Sequence, residues 1–488
     1  MHVVIIGLSR LASTLRAVLL AVLLGAVVSG CALIRPSVTP KDPDVVVREV
    51  PEEPPEPDEP ALTVPETYEQ MSLSVQAGDP AAAIAAFEEA QLEDPDDPMT
   101  RVLLANLFLI AGEAEQAVRI IEEIIGTEPD NTEALYLLAL IRGMRGETAE
   151  QRELLDRILE IDPSHARARA SLGELLLHGR YLRAAAETFE LAIRDEPDNL
   201  VARVGLGNVY LRQRRFADAE EQLTTAIALA PDYSFAYSDR ARARALQYRL
   251  AEAEEDLSAA IELEPGYYWH YIDRGRVRLE QRTFLAAVDD FDAAIALHDD
   301  RFLAYALRAQ AYDALEDIER ALHDYRETLR LRPDYDPAYT PYAALLYMTD
   351  RHDEAADYFR RAFNRHPQRY DLALMTALAL KSADREREAE RFLNGIISQV
   401  PRDSLFYDMF RYYIQPNYEG LVVSRVRDST DRTLRARMYF FLGAQMELLG
   451  RVRTAQASFL QAEETLQPGF LEQRLAAWRL RAYRTQEE

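Results

Sequence analysis

Three arginines recur at 34-residue intervals, Arg240, Arg274 and Arg308, and sixteen residues after each stands an aspartate: Asp256, Asp290 and Asp324. A guanidinium fork and a carboxylate match each other for two-pronged, charge-assisted hydrogen bonding, so this spacing describes three ion pairs. A buried pair of that kind adds little net stability over an apolar alternative, whereas deleting one partner costs ~3–5 kcal/mol. Two readings follow: pairs that fix the register of the elements carrying them, or an arginine ladder open to an anionic ligand. Other chemistry is sparse. The eight histidines form no i,i+4 pair that would make a metal-binding helix face, and no H-E-x-x-H, G-x-S-x-G or G-x-G-x-x-G string occurs. The only lysines, Lys41 and Lys381, follow Pro40 and Leu380, which excludes a Gly-Lys-Ser/Thr phosphate loop. Carboxylates cluster beside prolines, as in Glu93-Asp-Pro-Asp-Asp97, and read as solvated turns. Cys31 is the single cysteine, so no intramolecular disulfide or cysteine-based zinc site can form. The expectation is a protein that is not an enzyme and carries neither cofactor nor metal.

The elements that position these residues repeat with the same 34-residue period. A proline recurs at Pro95, Pro129, Pro163, Pro197, Pro231, Pro265, Pro333, Pro367 and Pro401, broken only at Asp299. Twelve residues before each slot stands an alanine, from Ala83 to Ala389, with Gln151 the exception; four residues later comes a bulky side chain such as Phe189, Phe291 or Phe359. The eighth position, from the second unit on, is always alanine or glycine, as in Ala105, Gly173, Gly207 and Gly275. Each unit therefore reads as two short amphipathic helices that approach closely at the small residues, with the bulky one filling the groove. The proline marks the turn into the next unit. One such hairpin cannot bury both faces, so neighbours must stack.

This pattern resembles the tetratricopeptide repeat (TPR) family over about ten units at 67–403. The resemblance implies an all-α fold, a TPR α-solenoid in which antiparallel helix pairs wind into a right-handed superhelix. It also implies that first helices line a concave groove through positions 2, 5, 9, 12 and 13. The candidate partner-binding residues are then Asn208, Arg242, Arg276 and Gln310 at the ninth position, Arg212 at a thirteenth, and Phe235 and Trp269 at the second. In the family, asparagine and basic residues at such positions hold a peptide carboxylate or backbone. This chain lacks the lysines those clamps use, although arginine can contact a carboxylate bidentately. An ordinary solvated groove lining is the competing reading. The tyrosines at position 4 (Tyr237, Tyr271, Tyr305 and Tyr339) replace the family's usual tryptophan and are expected to pack between helices.

Residues 1–30 read as a signal peptide: Arg10 and Arg16 precede the apolar run from Ala17 to Val28. Val28-Ser29-Gly30-Cys31 resembles the lipobox of bacterial lipoproteins, which implies lipidation of Cys31 and cleavage before it. An uncleaved membrane span is the alternative. Ala32 after the cysteine favours the outer membrane by resemblance to enterobacterial sorting. Residues 31–66 hold the lipidated cysteine and a tether; positions 35–66 carry nine prolines, nine acidic residues and three basic ones, a composition that favours extended polyproline II over a packed core. The chain carries 56 basic and 82 acidic residues, a formal charge of −26, which argues against nucleic-acid binding. Loss of the signal removes only two arginines, giving −28; the tether accounts for −6, leaving −22 on 67–488.

Residues 404–488 depart from the period. The run Phe406-Tyr-Asp-Met-Phe-Arg-Tyr-Tyr413 reads as irregular helical packing, a further TPR-like unit falls at 436–468, and Phe470–Trp478 begins a capping helix. The Tyr-Phe-Phe-Leu-Gly…Phe-Leu-Glu-Gln-Arg arrangement is similar to the C-terminal region of NlpI-type outer-membrane TPR lipoproteins. The functional expectation is a membrane-anchored scaffold for proteins or extended peptides in the bacterial cell envelope, with cell-wall enzymes among the partners that resemblance implies. The alternative is an envelope protein binding a glycan or small anionic ligand in the groove.

Overall fold

In the computed structural model, residues 70–71, 73–75, 77–89, 97–467 and 469–487 are described. The signal, Cys31 and the tether lie outside them. The described residues are helical and contain no strand. The 34-residue period reappears in where helices begin. First helices start at Pro98, Thr132, Ala166, Leu200, Ser234, Tyr268 and Phe302, and second helices at Pro80, Ala114, Thr148, Leu182, Phe216, Leu250, Phe284, Ile318, His352 and Glu386. By packing of their α-carbons the chain divides into two compact units, Met1–Tyr248 and Arg249–Glu488, each described by itself.

Within each hairpin the first helix ends on a residue in the left-handed region. It is glycine at Gly78, Gly112 and Gly146, but Arg180, Arg214, Tyr248, Arg282, Glu316, Asp350 and Asp384 take the same conformation in later repeats, with φ between 57° and 65°. The next residue's N–H then reaches a carbonyl five positions back, as in Tyr181 to Leu176 O (2.9 Å) and Thr283 to Arg278 O (2.9 Å). That bond closes the helix end and reverses the chain.

The small-residue slots have a geometric cause. A Cβ on Gly173 would lie 2.6 Å from the Phe189 ring, on Gly275 2.4 Å from Phe291, and on Gly207 2.8 Å from Leu223. Phe189, Phe291 and Leu223 are completely buried. The bulky residue of each second helix thus rests on the backbone of its own first helix, sixteen positions earlier.

The turn between repeats is tied by a side chain at position 4 that donates to the proline carbonyl six residues back. Arg203 Nη2 reaches Pro197 O at 3.0 Å, Tyr237 and Tyr271 reach Pro231 O and Pro265 O at 3.1 Å, and Tyr339 reaches Pro333 O at 2.6 Å. Tyr305, in the repeat that has Asp299 in place of proline, makes no such bond.

The second unit continues into the helices Leu405–Ile414 and Glu419–Asp428, then the pair Arg432–Leu448 and Val452–Thr465, then Leu471–Glu487. Tyr412, Tyr413, Phe410, Phe440 and Phe441 are buried in one apolar core that runs from Tyr268 to Tyr483. Gly443 sits against Phe459 with the same close approach as the earlier repeats, 2.9 Å for an added Cβ. No helix of the described residues is long and apolar enough to cross a membrane.

Candidate functional site

Two of the three expected ion pairs lie inside the second unit, and the structure brings both together. Arg274 grips Asp290 with Nε at 3.1 Å and Nη2 at 2.7 Å, and Arg308 grips Asp324 with Nε at 2.6 Å and Nη2 at 2.8 Å. Both aspartates are buried. The remaining guanidinium arm reaches back to the second helix of the preceding repeat: Arg274 Nη1 donates to Ser258 Oγ at 3.1 Å, and Arg308 pairs with Asp292. In the first unit Arg240 Nη1 reaches Thr224 Oγ1 at 3.3 Å, also sixteen residues back. The arginine at position 7 therefore holds consecutive repeats together, and its donors face protein acceptors. Burial raises the Asp290 carboxyl above the usual range, opposed by Arg274 and by Arg278, whose Nη1 lies 2.9 Å from it. Arg240 and Asp256 belong to different units, which are described separately.

The first helix Leu200–Arg212 touches both Ala166–His178 and Ser234–Ala245 in the first unit, and Tyr268–Glu280 touches Phe302–Ala314 in the second, so the exposed positions of these neighbours share a face. In the first unit, on the helices Leu200–Arg212 and Ser234–Ala245, the Asn208 amide donates to Asp239 Oδ2 at 2.7 Å and Arg242 Nη1 stands 3.4 Å from Asp239 Oδ1. Asp239 thus joins two predicted groove residues; it stands at position 6, which is not among the groove positions that the family resemblance implies. Arg242 remains exposed, Phe235 is half-buried with its ring 5.6 Å from that of Tyr233, and Arg212 donates to Leu177 O at 3.0 Å.

In the second unit, on the helix Tyr268–Glu280, Trp269 is 39% exposed and stands edge-on to Tyr268, their centroids 5.2 Å apart. The Arg301 guanidinium lies 5.0 Å from the Tyr268 ring centroid and 5.9 Å from that of Trp269. Arg276 points to solvent 3.9 Å from Asp273 Oδ1, and Gln310 on the helix Phe302–Ala314 is exposed. Nearby His270 is buried, and that burial pushes its imidazole down to about 4.

Further along, the same face is covered by the chain itself. The helix Leu471–Glu487 lies on it: Arg474 forks onto Asp313, with Nη1 2.7 Å from Oδ2, and Arg481 Nη1 contacts Glu316 at 2.9 and 3.1 Å. Trp478 meets Tyr347 edge-on at 6.2 Å. Asp313 and Tyr347 occupy the twelfth position of successive repeats. Arg437 anchors the start of the covering helix by bridging Asp371 Oδ2 (2.9 Å) and Glu472 Oε1 (2.6 Å). In the second unit the open stretch is therefore the one that bears Trp269 and Arg276. Among the described residues no group of three or more histidine, cysteine or acidic side chains converges in a way that could hold a metal ion.

Comparison with known proteins agrees with this architecture. Two tetratricopeptide repeat models match, one over residues 74–141 and 178–247 and the other over 306–370. The chain carries tetratricopeptide repeats. No curated protein matches the sequence. Among solved structures it is similar to PilF of Pseudomonas aeruginosa, at 21% identity and a TM-score of 0.40 over 45% of this chain and 99% of that one. It is also similar to YrrB, described as a TPR protein with an unusual peptide-binding site, at 18% identity and a TM-score of 0.34 over 38% of this chain and 96% of that one. A thermophilic TPR protein of Thermus thermophilus is 24% identical, with a TM-score of 0.32 over 37% of this chain and 99% of its own.

Proposed function

We propose that this chain is a lipid-anchored scaffold of the bacterial cell envelope whose repeats bind proteins or extended peptides on the face formed by their first helices. The observation that carries the reading is the polar series at the ninth position of successive first helices, with exposed Arg242 set beside the half-buried Asn208–Asp239 pair in one unit, and exposed Arg276 and Gln310 with the exposed Trp269 ring in the other. Such a surface offers amphipathic rings and bidentate donors, the side-chain types that dominate protein-binding hot spots. Anchoring rests on Val28-Ser29-Gly30-Cys31, with Cys31 as the lipid-bearing residue and Ala32 directing the chain to the outer membrane. A single acyl chain holds only marginally, so two or three chains on Cys31 supply the stable attachment. The likeness of the C-terminal region to NlpI-type lipoproteins points to cell-wall hydrolases, synthases or their regulators as partners.

The test is co-purification of the native chain from membranes beside an Arg242→Glu/Arg276→Glu variant. Discrete proteins captured by the native chain and lost from the variant support the scaffold. Retention of every partner would sink the groove assignment, and capture of glycan without protein would favour a ligand-binding role. Cys31→Ser is expected to abolish acyl labelling and release the protein from membranes; a labelled, membrane-bound variant refutes the anchor.

A further inference from the structure

A shallow pocket in the first unit is lined by His178, Arg180, Leu182 and Arg212. His178 closes the helix Ala166–His178, and Arg212 closes the next first helix, Leu200–Arg212. They hold the same slot in successive repeats, while Arg180 occupies the left-handed turn residue at φ 63°. At other hairpin turns Arg145 pairs with Glu115 (2.7 Å), Arg215 with Asp218 (2.6 Å), Arg351 with Glu354 (2.7 Å) and Arg385 with Asp353 (2.8 Å), whereas the left-handed turn arginines Arg180, Arg214 and Arg282 form no ion pair among the described residues. This pocket sets a second cation, Arg212, beside such a turn arginine. Arg212 spends one donor on Leu177 O at 3.0 Å, and the His178 ring Nδ1 stands 2.8 Å from Glu174 O. Both acceptors are backbone carbonyls, and among the described residues neither side chain nor Arg180 pairs with a carboxylate. Glu174 stands one turn before His178 on the same helix; burial raises its carboxyl and the nearby His178 ring opposes that rise.

Arg180 and Arg212 are gathered with no carboxylate between them, and an anion placed there removes the mutual repulsion of two such cations. The pocket also has an apolar wall. Leu182 lines it; next to the lining in sequence, the Tyr181 ring, 65% exposed, packs over Gly179, where an added Cβ would meet it at 2.9 Å. Cations contributed by two successive repeats, beside a tyrosine and a leucine, suit two carboxylates carried on one chain better than a single compact ion.

We propose that this pocket receives the acidic side chains of a glutamate- and aspartate-rich peptide segment, with Arg180 and Arg212 each engaging a carboxylate and Tyr181 covering the peptide between them. The inference rests on the scaffold reading and names the chemistry of its partner. Of the residues involved, sequence reading had singled out only Arg212; His178 and Arg180 carry no local signal, because a turn arginine is ordinarily solvated.

The test is fluorescence anisotropy of a fluorescein-labelled hexaglutamate peptide titrated with the full-length chain in detergent at low salt. Saturable binding is expected, weakened about tenfold or more by Arg180→Glu/Arg212→Glu through loss of two charge-assisted contacts, and unchanged by Arg326→Glu, the same charge reversal on an exposed residue of the other unit. The milder Arg180→Gln/Arg212→Gln pair should lose binding in the same direction, which guards against misfolding of the reversed variant. Absence of saturable binding, or equal affinity in the double variants, overturns the proposal. So does displacement by inorganic phosphate at equal charge concentration, which would mark a plain anion site. Variant-sensitive binding to phosphatidylglycerol vesicles without peptide binding would overturn it in favour of a membrane contact. Failure here, with partner capture still dependent on Arg242 and Arg276, removes only this pocket; loss of that dependence falls on the scaffold reading itself.

Discussion

At the scale of single residues, packing and titration carry the sharpest consequences. Gly275 has no room for a methyl group, since Phe291 lies 2.4 Å from where it would sit and is completely buried. Gly275→Ala is therefore expected to cost about 1–3 kcal/mol of stability in urea denaturation, the range for an overpacked core. Phe291→Leu in the same chain should restore part of it, because the two sites share one contact. His270 contributes to the pH dependence, in the same direction as His165 and His352, which burial also lowers. Its folded imidazole is pushed to about 4 by burial, against an ordinary 6.5, so between those values the unfolded chain binds more protons. Stability is accordingly complete above about pH 6.5 and falls by about 2–3 kcal/mol as pH drops toward 4, following about 1.4 kcal/mol per pH unit. Thermal melts of His270→Leu should show a shallower fall over that window; an identical fall would remove His270 from the account. The glycine–phenylalanine contact was legible in sequence, because both residues recur at fixed slots of a short period. The left-handed turns were not. Glycine announces that conformation at Gly78, Gly112, Gly146 and Gly450, while Arg180, Tyr248 and Glu316 adopt it with nothing in their chemistry to signal it.

At the scale of elements, what had to be learned from the structure was how one hairpin grips the next. The Arg–Asp spacing gave a contact within a repeat, and the structure shows for Arg274 and Arg308 that the same arginine also binds the preceding repeat through Ser258 or Asp292. The second arm was hidden because positions 258 and 292 hold different residue types, so no pattern ties them. The position-4 tyrosines were expected to pack between helices. Their hydroxyls also secure the inter-repeat turn wherever a proline carbonyl is available. Tyr339→Phe should therefore cost about 1 kcal/mol in urea denaturation, the usual net value of such a hydrogen bond. Tyr305→Phe, in the repeat with Asp299, should leave stability unchanged. Equal losses in both variants would show that the bond to the proline carbonyl contributes nothing.

At the scale of the whole molecule, the net charge of −26 misdescribes the faces that matter, which bear Arg212, Arg242 and Arg276 among their exposed groups. Slot arithmetic placed these residues on first helices, yet it gave no warning that Leu471–Glu487 covers Asp313 and Tyr347. Contacts across 161 and 165 residues leave no local trace in a sequence. On the proposed reading, that cover leaves partners in the second unit the stretch bearing Trp269 and Arg276. The central claim is that partners are held on the first-helix face, and site-specific photo-crosslinking in intact cells tests it most directly. A benzophenone side chain at position 276, on a first helix, is predicted to give discrete protein adducts, whereas one at the exposed position 262, on the second helix Leu250–Leu263, gives none. Adducts from position 262 alone, or equally from both, would contradict it.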